Sequence, residues 1–194
     1  MSYRPDLYEG RRVVVVGGSS GIGEGIARAF AQHGASVLAT GATAAEVAAA
    51  EARQHGTGLA YRVLDVRDDA AVHDALGGDL DVLVNCAGII RRGLAEHDPA
   101  VFADVVDINL NGTIRACTAA RGALRSSRGC IINTASMLSF FDGGAVPARD
   151  PRAHADGPLG PAAGRGAGGA LSRLPAASFI TGAVLPVDGG YLIA

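Results

Sequence analysis

Lysine is absent from this chain. All 17 basic residues are arginine, so chemistry that needs a side-chain amine able to lose its proton near neutrality has no residue to carry it. Tryptophan is absent too, and there are only four tyrosines, Tyr3, Tyr8, Tyr61 and Tyr191. A core must therefore be built mainly from Val, Ile, Leu and Ala. No apolar run approaches the roughly 20 residues needed to span a bilayer. The polar opening segment, with Arg4, Asp6 and Glu9, does not read as a secretory signal. The net charge of −2 and the scattered arginines give no electrostatic footprint for nucleic acid. Three cysteines, Cys86, Cys117 and Cys130, lack metal-ligand spacing and read as small buried hydrophobes. The expected compartment is a reducing cytoplasm, with no metal and no membrane partner.

What is present is alternation. The 194 residues suffice for one α/β domain with a substantial core. Val13–Val16 reads as a buried strand and Ile22–His33 as a helix. Ser36–Thr40, Tyr61–Asp65, Asp81–Asn85 and Cys130–Thr134 read as further strands. Between them, Thr43–Gln54 and a short stretch from the N-cap Asp68 to Leu76 read as helices. Asp98-Pro99 places an N-cap before a proline at the first helical position, opening a long helix to about Ser126. Strands alternating with helices predict a Rossmann-like, doubly wound parallel sheet covered on both faces. Ala183–Val187 reads as a final strand.

The sharpest signal is Val16-Gly17-Gly18-Ser19-Ser20-Gly21-Ile22-Gly23, which follows the first strand and opens the first helix. Glycines there allow close backbone approach to a pyrophosphate, and the helix N-terminus offers N–H groups and partial positive charge. The spacing Gly17, Gly21, Gly23 resembles the short-chain dehydrogenase/reductase family. Asn85-Cys86-Ala87-Gly88 resembles that family's Asn-Asn-Ala-Gly segment bordering the cofactor. Asp65-Val66 matches its adenine-contacting pair, and Asn109 and Ser136 match two members of its catalytic tetrad. The C-terminal stretch from Pro175 to Gly190 also resembles the family's last strand, so the likeness covers about residues 10–147 and 174–194. The resemblance implies NAD or NADP as cofactor. The stretch Thr40-Gly41-Ala42-Thr43 after the second strand carries neither an acid for the NAD ribose nor an arginine for the NADP phosphate. The balance leans slightly to NAD.

Gly88-Ile89-Ile90-Arg91-Arg92 resembles the equivalent loop of sugar-acid dehydrogenases acting on gluconate or 2-deoxygluconate. Arg91 or Arg92 there could pair with a substrate carboxylate, although a solvated surface pair accounts for them equally well. Ser136 would position a carbonyl and Asn109 would hold a structural water; a loop serine and a helix-kinking asparagine are the plainer alternatives. The same resemblance places a proton-transferring Tyr thirteen residues beyond Ser136 and a Lys four beyond that. Arg149 and Ala153 stand there instead, and a guanidinium cannot replace a phenol in proton transfer. His154 and Tyr191 have no motif that brings them to the site.

Gly143 to Ala170 holds 20 Gly, Ala or Pro among 28 residues, so the segment at about 143–173 is expected to be an irregular insert in a single domain of residues 1–194. Relatives of roughly 250 residues make this chain short by about a fifth, which corresponds to the Tyr/Lys helix and a sixth strand. A deletion with a compensating frameshift in G/C-rich DNA would produce such a run; a natural divergent loop is the alternative. An intact frame with no homologous codons in the other frames would rule the frameshift out. The expected sheet is thus incomplete at its C-terminal part, with its fifth strand at an edge unless Ala183–Val187 fills it. Self-association through the 98–126 helix should be weaker than in full-length relatives. Three functions follow: an oxidoreductase acting on a small-molecule hydroxy compound, a dinucleotide binder without turnover, or a scaffold.

Overall fold

The computed structural model describes residues 4–53, 58–91, 93–136 and 182–185. Five strands form one parallel sheet: β1 (Arg12–Val16), β2 (Ser36–Gly41), β3 (Leu59–Val63), β4 (Val82–Asn85) and β5 (Cys130–Asn133), in the order β3-β2-β1-β4-β5. The helices between them are α1 (Gly21–Gln32), α2 (Ala44–Ala52), α3 (Asp69–Leu76), α4 (Pro99–Val106) and α5 (Gly112–Ser127). The chain lays β2 and β3 on one side of β1, then returns to place β4 and β5 on the other. That reversal opens a crevice at the carboxyl ends of β1 and β4, where open α/β sheets take their ligands.

The four valines of β1 explain the layering. Side chains alternate along a strand, so Val13 and Val15 enter one core with Ile26, Ala27 and Phe30 of α1 and with Val82 and Val84 of β4. Val14 and Val16 enter the opposite core with Val72 and Leu76 of α3, Leu83 of β4, and Ala116, Ala120 and Leu124 of α5. A strand buried on both faces must be apolar along its buried run, as Val13–Val16 of β1 and Val82–Val84 of β4 are. Tyr8, which the sequence pattern left unassigned, closes the α1 side. Its ring meets Phe30 edge-on with centroids 4.9 Å apart, and its N–H donates to His33 O at 2.8 Å.

Three expectations need correction. The third strand runs over Leu59–Val63 rather than Tyr61–Asp65; Leu64 N still donates to Gly41 O at 2.8 Å, and Leu64 and Val66 then enter the core with α3 and α5. The long helix is not continuous: a π-helical turn, Asp107–Asn111, separates α4 from α5. Residues 183–185 of the expected final strand make no ladder; Val184 and Leu185 are 72% and 58% exposed. With no partner strand to satisfy its backbone, that piece lies off the sheet. Among the described residues β5 is therefore an edge, and its pattern alternates between half-buried and exposed. Residues 143–173, including Arg149, Ala153 and His154, and the stretch around Tyr191 lie outside the described residues. No helix among those described is long and apolar enough to cross a membrane.

Candidate dinucleotide site

The glycine turn is locked by its own lack of side chains. Gly17 has φ +79°, and a Cβ built there would sit 2.5 Å from Ala87 N, so β1's turn presses directly on the segment leaving β4. A Cβ on Gly23 would overlap the carbonyl oxygen of Gly17, which fixes α1 against the turn that precedes it. Ser20 is the N-cap residue of α1, yet its side chain makes no capping bond. The leading N–H groups of the helix thus have no side-chain acceptor from their own cap and present the positive end of the helix dipole. Gly21, at φ +56°, has open space where a Cβ would be, and Ile22 is exposed. These features fit a pyrophosphate: close approach, free donors and positive potential.

Ser19 and Thr40 sit beneath the turn. Thr40 is buried; its Oγ1 accepts from Gly17 N at 3.2 Å, and its carbonyl accepts from Ser19 N at 3.1 Å. Both residues hold the loop in shape from below. Arg53, at the end of α2, donates to Ser19 O at 2.8 Å and to Glu24 Oε2 at 3.2 Å. Arg28 holds the other oxygen of Glu24 at 2.7 Å. At the end of β2, Thr43 caps α2 by accepting from Glu46 N at 3.2 Å, while Glu46 Oε2 accepts from Ala42 N at 2.8 Å.

On the other side of the crevice, Asp65 is engaged by a neighbour. Arg67 grips it with Nη2 at 2.7 Å and Nε at 3.0 Å, and hydrogen bonding to that guanidinium holds its carboxyl below the usual range. Val66 is buried, and Gly112 lets α5 pack against it, since a Cβ there would lie 2.6 Å from Val66 Cγ2. Asn85 is buried and donates to Asn133 Oδ1 at 2.8 Å and to Cys117 Sγ at 3.3 Å. Its own Oδ1 has no partner, and its carbonyl accepts from Thr134 Oγ1 at 3.0 Å. Burial pushes the Cys86 and Cys117 thiols up, and all three cysteines are half-buried rather than the buried groups expected.

Asn109 lies in the π turn and forms a two-way pair with the β4 loop. Ile89 N donates to its Oδ1 at 2.8 Å, and its Nδ2 donates to Ile89 O at 2.9 Å. Its main-chain carbonyl accepts from Thr113 Oγ1 at 2.9 Å. Gly88 lies beside this pair, and a Cβ there would reach contact distance of Asn109 Oδ1, at 3.4 Å. Asn109 therefore clamps the loop that carries Arg91. Arg91 itself lies 3.6 Å from Asp104 Oδ2, whose other oxygen is held by Arg67 at 2.9 Å. Ser136 is exposed just beyond β5, and Arg92 lies outside the described residues. The structure thus gathers Gly17 to Gly23, Thr40, Asp65, Val66, Asn85, Ala87, Gly88 and Asn109 along the carboxyl edge. The sequence reading missed Glu46, Arg53 and Asp104 there; the Thr43-x-x-Glu46 capping pattern was the one available signal.

A five-stranded parallel sheet with a glycine turn at its switch point is the dinucleotide-binding α/β architecture. The chain belongs to the short-chain dehydrogenase family, whose model, described as short chain dehydrogenase, matches residues 11–148. It is similar to 2-dehydro-3-deoxy-D-gluconate 5-dehydrogenase of Bacillus subtilis (strain 168), at 36% identity over 80% of this chain and 65% of that one. It is also 35% identical to gluconate 5-dehydrogenase of Gluconobacter oxydans (strain 621H), over 70% of this chain and 57% of that one. Among solved structures it resembles the one titled "Crystal structure of gox2181", with a TM-score of 0.64 and 29% identity over 71% of this chain and 58% of that one. The chain spans less than two thirds of the length of these relatives.

Proposed function

We propose that this chain binds a nicotinamide dinucleotide, NAD or NADP, and descends from an oxidoreductase that interconverts an alcohol and a carbonyl on a sugar acid or related hydroxy compound. The observation that carries this is the interlock of Gly17, Ala87 and Gly23 below an N-cap whose side chain leaves the α1 donors open. The dinucleotide supplies hydride transfer when bound. Residues 17–23 would hold its pyrophosphate, Asp65 and Val66 would border the adenine, and Asn85, Ala87 and Gly88 would floor the nicotinamide side. Ser136 offers a hydroxyl to a carbonyl oxygen, and Arg91, with Arg92, offers a cation to a substrate carboxylate. The names of the two sugar-acid dehydrogenase relatives support that substrate class.

Proton transfer is the step these residues do not furnish. The chain has no lysine, and the amide and carbonyl of Asn109 are both engaged within the protein. Binding with little or no turnover is therefore the second reading. Exposed Phe102 on α4, Leu110 in the π turn and Ile114 on α5 support self-association through this helical stretch, weaker than in longer relatives; a tight tetramer in solution mass measurements would contradict that.

Fluorescence titration of the purified chain with NADH and NADPH, followed by hydride-transfer assays on gluconate-class substrates, tests the proposal. Cofactor binding is expected, with turnover that is low or absent. Turnover abolished by Ser136→Ala would establish the full enzyme reading. Failure to bind either dinucleotide at millimolar concentration overturns the cofactor reading and leaves a scaffold.

A further inference from the structure

We infer that Glu46 is the residue by which this site chooses between the two dinucleotides, favouring NAD(H). The inference rests on the dinucleotide reading above and deepens it. In sheets of this kind the adenosine ribose lies by the carboxyl end of the second strand, where an acid bonds the 2′-hydroxyl or a cation accepts the 2′-phosphate. Residues 40–43 carry no such charge, but the fold brings one in from the first turn of α2.

The geometry is a capping box displaced by one residue. In the ordinary box the third helical residue turns its carboxylate back to the N–H of the cap residue, here Thr43. Glu46 reaches one residue further, to Ala42 N at 2.8 Å, which draws the carboxylate toward the strand end. A Cβ on Gly41 would sit 3.2 Å from Glu46 Cβ and 2.8 Å from Ser19 Oγ. The acid thus stands by the same glycine as the phosphate-binding turn. Its Oε2 is fixed by Ala42, while Oε1 makes no hydrogen bond or ion pair among the described residues. A carboxylate held this way is ready to accept from a ribose hydroxyl without losing side-chain freedom at that moment.

The two nearby arginines share one acid, Glu24, and neither bonds Glu46. Arg53 is bound to Glu24 and to the Ser19 carbonyl, and Arg28 to Glu24 and the Arg53 carbonyl. A 2′-phosphate would meet the Glu46 carboxylate at this point, whereas a free ribose hydroxyl would find an acceptor.

Dissociation constants for NADH and NADPH, measured by calorimetry on the full chain and on Glu46→Gln, test this without reference to turnover. The amide retains an oxygen for Ala42 N–H, so the cap and the fold should persist. The unmodified chain is expected to bind NADH more tightly, and the substitution to shrink that preference on the order of tenfold. A preference for NADPH in the unmodified chain overturns the inference, and this comparison stands even if the variant does not fold. A preference unchanged by Glu46→Gln overturns it as well, while leaving dinucleotide binding intact. Absence of binding to both removes the cofactor reading and this inference together.

Discussion

Leu83 and Ile131 face each other across adjacent strands, in register and on the same side of the sheet, yet their surroundings differ completely. Leu83 is fully buried between α3, α5 and β1, whereas Ile131 is 41% exposed. Ile131 borders an open groove of about 490 Å³ with Cys117, Arg121, Leu124 and Arg125. The same contrast separates the two ends of the proposed site. On the nucleotide side the turn is tightly braced: Gly17 and Gly23 touch backbone, and Thr40 holds the loop. On the substrate side, β5 stops at an edge and Ser136 stands exposed. A parallel strand at an edge leaves backbone donors and acceptors unpaired, so the described molecule is finished where the dinucleotide would lie and open where a substrate would.

That comparison can be broken by substitution. Gly17→Ala should be the most damaging, since the new Cβ would overlap backbone at Ala87 and occupy a left-handed conformation; a loss of about 4 kcal/mol is expected by urea unfolding. Leu83→Ala should cost about 3 kcal/mol, as for a fully buried leucine, and Ile131→Ala about 1 kcal/mol or less. Equal losses at these two register partners would show that β5 is covered in solution. The smallest effect concerns Asp65. Its carboxyl is held low in the folded chain by Arg67, so its contribution is present above the ordinary carboxylate range and disappears as pH falls through the folded value. Arg67→Ala should raise the Asp65 titration seen by NMR and flatten the acid side of the stability profile. At a side chain 38% exposed, that effect is expected to stay well under about 1 kcal/mol.

Much of this was legible in the residues. The valines of β1, the caps at Asp68 and Asp98, and the glycine spacing each follow from local rules, and the structure places them as those rules require. What was not legible depended on distance. Asp81 and Arg11 are 70 residues apart and meet at 2.7 Å. The role of Tyr8 needs Phe30 beside it, and the pairing of Arg91 with Asp104 needs a folded helix. The boundaries of β3 shifted because its start depends on pairing with β2, where Leu59 lies opposite Val37, which sequence alternation does not show. Thr40 was expected only as one of the residues near the cofactor, and its hydroxyl accepts from Gly17 N in the turn above it; strand periodicity cannot say which neighbour a hydroxyl will find. Glu46 was hidden for another reason: the acid was sought next to the strand end, and the chain supplies it from the next helix.

The π turn at Asp107–Asn111 also sets the rotational phase of everything after it. Each residue of an α-helix advances the side chain by about 100°, so a wider turn resets which side of the following helix points inward. Downstream, Ala116, Ala120 and Leu124 face the sheet; upstream, α4 has no buried residue at all. Asp107 fastens that reset, accepting from Asn111 Nδ2 at 3.0 Å and from Arg115 Nη2 at 2.8 Å. Deleting one residue here would leave the composition of the helix almost unchanged while swinging its small-residue stripe off the sheet. An insertion or deletion in this five-residue turn is therefore a far larger event for the molecule than the same edit in the loops on either side of it.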